Sequence, residues 1–283
     1  MSIGCLLVLL LSACRGDPQT TGGGVPQRII AVSPGAVETL FALDLGERVV
    51  GVGSYAHWPV EVEKLARIGG LYDPRFETIV GLEPDLAILL ASEAELATAL
   101  EKLGIPNVTI PHETIADVGR AATAIAEAAG VPERAERFVA ALDSALTARG
   151  RPIEARVLLS VARQSGRGAE IYAAGPDTFL GELVDRLGAS HIVSDLPQLY
   201  PRLAFEEAAL RRPEVVIELQ PETVSAAAAG SWRRDWLEVS GEEGPCVVIV
   251  DGSHVLLPGP RLPELYRDLE EALLSCAAED KGR

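Results

Sequence analysis

With 283 residues, the chain has room for one large domain or two of ordinary size, and 48% hydrophobic residues suffice for sizeable cores. A formal net charge of −16 excludes nucleic acid, whose phosphates this surface would repel, and peripheral adsorption to anionic lipid.

The chain begins MSIGCLLVLLLSAC and then turns polar. The apolar run lacks the polar face of a core helix. It stops after about a dozen residues, where a membrane span needs ~20. A short apolar segment closing on small residues reads as a secretory signal peptide over residues 1–13. Leu11-Ser12-Ala13-Cys14 resembles the lipobox of bacterial lipoproteins. That implies cleavage before Cys14 and lipid on its sulfur. The expected product is exported and held at the periplasmic or other extracytoplasmic face of a membrane by that lipid anchor alone. Residues 14–27, polar and Gly-rich around Thr20 to Gly24, read as a flexible tether.

From Arg28 onward, strand-like and helix-like segments alternate. RIIAV (28–32) and VVGV (49–52) read as β runs, with GAVETLFALDLG as the helix between them. LAILL (86–90) and NVTI (107–110) follow, separated by ASEAELATALEKLG. Alternation of this kind is the mark of α/β units and a largely parallel sheet. Residues 117–150 are Ala-rich and broken only at Gly130-Val131-Pro132. Pro132 suits a helix first turn, so a helix is expected over 132–150, closed by Gly150. The α/β rhythm then restarts with ARVLLSV, EIYAA, VVIEL and CVVIVDG. The expected domains are an N-terminal lobe (28–131), a linker helix (132–150) and a C-terminal lobe (151–283).

An internal echo supports two lobes of similar build. ETIVGLEPDLAILL starts at Glu77 and EEAALRRPEVVIEL at Glu206. Each has a glutamate, a helical turn or two, a Pro seven residues on, an acid, and then an apolar strand. Proline ends the helix and releases the strand. Beyond the signal segment, Cys246 and Cys276 could pair in an oxidising compartment or remain two buried thiols; spacing does not decide. The histidines at 57, 112, 191 and 254 are scattered and no CxxC occurs, so no structural zinc site is supported.

These landmarks, in order, resemble the vitamin B12/ferric siderophore/haem class of substrate-binding proteins of bacterial ABC importers. The resemblance is carried by RIIAVSPGAVETLFALDLG, VVGVGSYAHWP, GGLYDPRFETIVGLEPDLAIL, AAGPDTFLGELVDRLGASHIV, YPRLAFEEAALRRPEVVIEL and VIVDGSHVLLPGPRLPE. It implies two Rossmann-like α/β lobes joined by a single long helix, with ligand held in the cleft between them. It also implies that Glu77 and Glu206 sit at the lobe tips and pair with arginines of the permease, whose ATPase drives transport. Without the resemblance, each glutamate would be an ordinary helix N-terminal acid.

Tyr55, His57 and Trp58 cluster on a loop after a predicted strand, where α/β sheets bind ligands, and such rings suit a large flat ligand. Tyr72, Asp73 and Tyr200 occupy positions that face the cleft in relatives, and His254, just after VDGS, could cap the cleft from the other side. Ser54-Tyr55 and Pro59 match the cobalamin-binding members best, so cobalamin is the expected cargo, with ferric siderophore or haem as alternatives. Arg75, Arg202 and Arg261 are the cations a siderophore would use. A metal-ion receptor would want several histidines with a carboxylate. No GxSxG, P-loop, GxGxxG or HExxH motif occurs, and the acid pairs Glu206-Glu207 and Glu242-Glu243 are adjacent rather than dyad-like. The expectation is therefore a monomeric receptor with no cofactor of its own and no catalysis.

Overall fold

A computed structural model describes residues 24–70, 72–147, 151–164, 170–241 and 244–280. The signal segment, Cys14 and the Glu242-Glu243 pair lie outside the described residues.

The first lobe is built from β1 (Ile29–Ala31), α1 (Pro34–Ala42), β2 (Val49–Val52), β3 (Ala66–Arg67), α2 (Phe76–Gly81), β4 (Leu86–Leu90), α3 (Ala94–Lys102) and β5 (Asn107–Ile110). Its strands run β3-β2-β1-β4-β5, all parallel. Parallel strands need crossovers, and both faces of the sheet are covered. One face packs Ile29, Leu40, Ile88 and Ile125, and the other Ile30, Ile68, Ile79 and Leu100. Local chemistry sets the helix starts: Ser33 Oγ accepts the Ala36 N–H, and Pro34 occupies the first turn of α1.

Two helices follow, α4 (Ile115–Ala128) and α5 (Pro132–Ala145). The Thr114 hydroxyl accepts the Asp117 N–H, and the Asp117 carboxylate returns a bond to the Thr114 N–H, so α4 starts on a capping box. Both helices divide their apolar residues between the two lobes. Ile115 and Val118 of α4 pack into the second lobe, whereas Ala121, Ala122 and Ile125 pack into the first. In α5 the order reverses, with Ala135 in the first core and Leu142 in the second. The single bridging helix expected over 132–150 is thus one member of an antiparallel pair. It also ends at Ala145, where the Leu146 N–H closes back on the Leu142 carbonyl.

The second lobe contains β6 (Arg156–Arg163), β7 (Glu170–Ala173), α6 (Phe179–Leu187), β8 (Ser190–His191), β9 (Arg202–Ala204), α7 (Phe205–Leu210), β10 (Val215–Gln220), α8 (Ala226–Ser240), β11 (Cys246–Asp251) and α9 (Leu262–Asp280). The strand order is β11-β10-β6-β7-β9, with β8 also paired to β6. Here β7 runs antiparallel to both neighbours, which departs from the parallel pattern of the first sheet. Cys246 and Cys276 form a disulfide, tying edge strand β11 to α9 and resolving the pairing that spacing left open.

The sequence echo is matched by a backbone echo. Asp85 accepts the Arg28 N–H and returns its own N–H to the Arg28 carbonyl; Glu214 and Arg156 make the same two bonds. The Arg28 guanidinium donates to the Leu82 carbonyl, and that of Arg156 to the Arg211 carbonyl. Glu83 and Arg212, each just before the proline, both take positive φ (46° and 52°). In each lobe, therefore, an arginine at the entry to a central strand fastens the end of the helix that carries Glu77 or Glu206.

Candidate functional site

All five first-lobe strands are parallel, so their carboxyl ends share one rim, the usual ligand-binding edge of such a sheet. The loops on that rim carry Ser33, the 53–59 segment, Tyr72, and His112 with Glu113. Second-lobe segments approach them. The Phe179 N–H donates to the Glu113 carbonyl at 2.7 Å, and Glu182 accepts the Ile115 N–H at 2.6 Å. At the base, Gly35 comes so close to Pro258 that a Cβ would lie 2.8 Å from its carbonyl oxygen. A cavity of about 170 Å3 remains there, bounded by Ser33, Thr39, His112 and Val118 on one side and by Leu256 to Pro258 on the other. Its placement between the lobes is that of a cleft floor.

The 53–59 loop is braced from its own lobe. Arg67 of β3 donates to the carbonyls of Gly53 and Ala56, and its second nitrogen pairs with Glu63 at 2.9 Å. Glu63 also meets His57 Nδ1 at 2.9 Å. The His57 bond, joined by the Arg67 contacts, outweighs desolvation and holds the Glu63 carboxyl below its ordinary value. His57 is thus a brace for the loop rather than a bare cleft group. Its neighbours are open: Tyr55 is 76% exposed and Trp58 39%. Across the loop, the Tyr55 ring lies beside Gly70, and Tyr72 is 95% exposed.

From the second lobe, Tyr200 stands near Glu113 of the first. Burial and then the Glu113 charge push its phenol up to about 12, so it remains a neutral hydrogen-bonding group. His254 pairs with Asp268 of α9 at 2.7 Å, which directs it to its own lobe. The cations proposed for an anionic ligand do not converge. Arg261 is buried and forked onto Glu38, Arg202 pairs with Glu170 at 3.4 Å, and Arg75 lies at the start of α2.

Sequence reasoning missed His112, Glu113 and the Glu38–Arg261 pair. Only the SPG stretch and the PGPR stretch hinted at them, as two glycine-proline segments able to approach backbone to backbone. Glu77 and Glu206 are both exposed, each the second residue of its helix. A larger open groove of about 810 Å3 lies beside Glu77 rather than in the cleft, between α2 and α3 and lined by Phe76, Val80 and Leu103. Among the described residues no group of three or more His, Cys, Asp or Glu side chains could hold a metal ion, and no helix is long and apolar enough to cross a membrane.

Residues 29–229, more than half of the chain, match the periplasmic binding protein family. The chain belongs to that family. Members serve as the substrate-binding components of ABC importers, a binding role and not a catalytic one. An uncharacterized ABC transporter substrate-binding lipoprotein of Bacillus subtilis is 26% identical over 257 residues, covering 88% of this chain and 80% of its own length. A vitamin B12-binding protein of Pectobacterium carotovorum is 28% identical, covering 70% of this chain and 73% of its own. Among solved structures, a periplasmic haem-binding protein from Roseiflexus superposes with a TM-score of 0.71 at 23% identity, covering 89% of this binding protein and 99% of that chain. At that identity the likeness is one of fold. Two lobes around a cleft are what this fold provides.

Proposed function

We propose that this binding protein is the corrinoid receptor of an ABC importer. It captures cobalamin in the cleft between its lobes and presents it to a two-subunit permease through Glu77 and Glu206, as a monomer anchored by lipid on Cys14. The observation that carries the ligand assignment is the character of the cleft mouth. Tyr55, Trp58 and Tyr72 offer exposed ring faces, and Tyr200 a neutral phenol. A large, flat macrocycle with amide edges matches rings and neutral hydrogen-bonding groups. An anionic ferric chelate would want free guanidinium groups, and Arg261 is already committed to Glu38. A haem iron would want a Tyr or His ligand; Tyr200 resists ionisation and His57 and His254 are engaged with carboxylates, so the open Tyr55 and Tyr72 rings make haem the second reading. The vitamin B12-binding relative agrees with this choice.

Isothermal titration of the purified chain with cyanocobalamin, haemin and a ferric hydroxamate siderophore tests it. Sub-micromolar binding of cyanocobalamin alone is the expected result. Heat from haemin or the siderophore instead would keep the receptor and transfer the cargo to iron. Silence from all three would overturn the corrinoid reading.

A further inference from the structure

Across the cleft floor the two lobes are joined by a side-chain bond between residues 223 positions apart. Arg261, in the loop before α9, donates from Nε to Glu38 Oε2 at 3.0 Å and from a terminal nitrogen to Glu38 Oε1 at 2.5 Å. Its other terminal nitrogen donates to Ser253 Oγ at 3.1 Å. Glu38, on α1 of the first lobe, is buried, as is Arg261 at 7% exposure. The fork is held in place by backbone as well: Gly35 abuts Pro258, and Gly259 lies against Glu38 and Gly35. The guanidinium carbon also lies 5.1 Å from the centroid of the Trp58 ring. One face of that indole is therefore covered by a cation from the opposite lobe, while the side chain as a whole stays partly open to the cleft.

We propose that Arg261 is a positioning residue for ligand capture: with Glu38 it fixes the resting separation of the lobes, and by stacking it holds Trp58 as a flat wall of the cleft. This rests on the cleft being the ligand site, as proposed above. A planar guanidinium has the geometry for all of these contacts at once: a two-point fork to a carboxylate, a third donor to Ser253, and a face for the indole. A lysine ammonium keeps the charge but supplies neither the fork nor the planar face. With every terminal nitrogen so engaged, Arg261 has no role as an anion anchor; it acts on the ligand through Trp58.

The test compares Arg261→Lys and Glu38→Gln with the wild-type full chain by two readouts. Spin labels at Glu61→Cys and Glu222→Cys, both exposed and on different lobes, report the inter-lobe distance without ligand. Trp58 emission is taken as the difference between each protein and the same protein carrying Trp58→Phe, and cyanocobalamin affinity is measured beside it. Arg261→Lys is expected to broaden the distance distribution, shift Trp58 emission to the red, and weaken affinity about tenfold or more. Glu38→Gln, which leaves the guanidinium stack but removes its counter-charge, is expected to broaden the distances with a smaller change in emission. Unchanged distances and unchanged Trp58 emission in folded Arg261→Lys would overturn the proposal. If the wild type does not bind cyanocobalamin, the corrinoid reading fails by itself. Emission and distance then decide the role of Arg261 on their own.

Discussion

Asp117 and Glu218 show two opposite outcomes for a buried carboxylate, and Asp117 shows how the balance is struck. Burial alone would raise its pKa. The N–H and hydroxyl of Thr114, the Arg120 guanidinium and the Glu113 N–H outweigh that and hold the carboxyl below its ordinary value. Glu218, beside Arg163 and Trp236 beneath the α7 end of the second lobe, goes the other way because desolvation dominates. For Asp117 the folded value lies below the unfolded one. Its ionisation therefore contributes stability at pH above the ordinary value of 3.8, and that contribution is lost as pH falls through the depressed folded value. Asp117→Asn is expected to cost about 1–2 kcal/mol at neutral pH, since it weakens the cap of a helix shared by both cores. In urea titrations stepped from pH 7 into the acid range, the gap between wild type and variant should close as the wild-type carboxyl protonates. A gap of constant size would mean that the charge does not hold the cap.

At the scale of elements, the disulfide adds a covalent tie between a strand laddered on one side only and the last helix of the second lobe. β11 is an edge strand, and α9 ends the described chain. Cross-linking residues 30 positions apart should remove about 3–4 kcal/mol of unfolded-chain freedom in the loop-entropy account. Replacing both cysteines by alanine is expected to lower the urea midpoint accordingly and to leave cleft binding intact, because neither sulfur borders the cleft. An unchanged midpoint would show that α9 is held by its apolar face, through Leu265, Leu269 and Leu273, without help from the bond. How well each element could be read in advance follows from where its information lies. The helix–Pro–strand units at Glu77 and Glu206 were legible because proline and an apolar run sit within a dozen residues. That both α4 and α5 bridge the lobes was not, since Ile115 and Ala121 serve different cores and nothing in their spacing says so. The Glu38–Arg261 bond is foreshadowed only by the SPG and PGPR stretches, and nothing local says that they meet across 223 positions. Among the site residues, the aromatic cluster could be read as exposed loop rings, but the engagement of His57 and His254 depends on carboxylates six and fourteen residues away whose approach only the fold creates.

Viewed as a whole, the molecule repeats one device on each lobe. An arginine at the start of a central strand, Arg28 or Arg156, fixes the carboxyl end of a short helix whose second residue is an exposed glutamate. Six-residue helices have little stability of their own, so those clamps matter for how firmly Glu77 and Glu206 are presented. The surroundings differ: a groove lined by Phe76, Val80 and Leu103 flanks Glu77, while Leu210 stands exposed on the helix of Glu206. Under the proposed docking role, each glutamate meets one half of a pseudo-symmetric permease. Rim charges of this kind govern encounter and register more than the strength of ligand capture. Glu77→Ala with Glu206→Ala is therefore expected to abolish cobalamin uptake by cells while changing the cyanocobalamin affinity of the purified protein by less than about twofold. Either single change should leave partial uptake, because the two anchors lie on separate lobes and act independently. Normal uptake in the double variant would exclude docking through these acids. Lost affinity together with lost uptake would place them in ligand capture instead, a role their position on α2 and α7, away from the cleft floor, does not support.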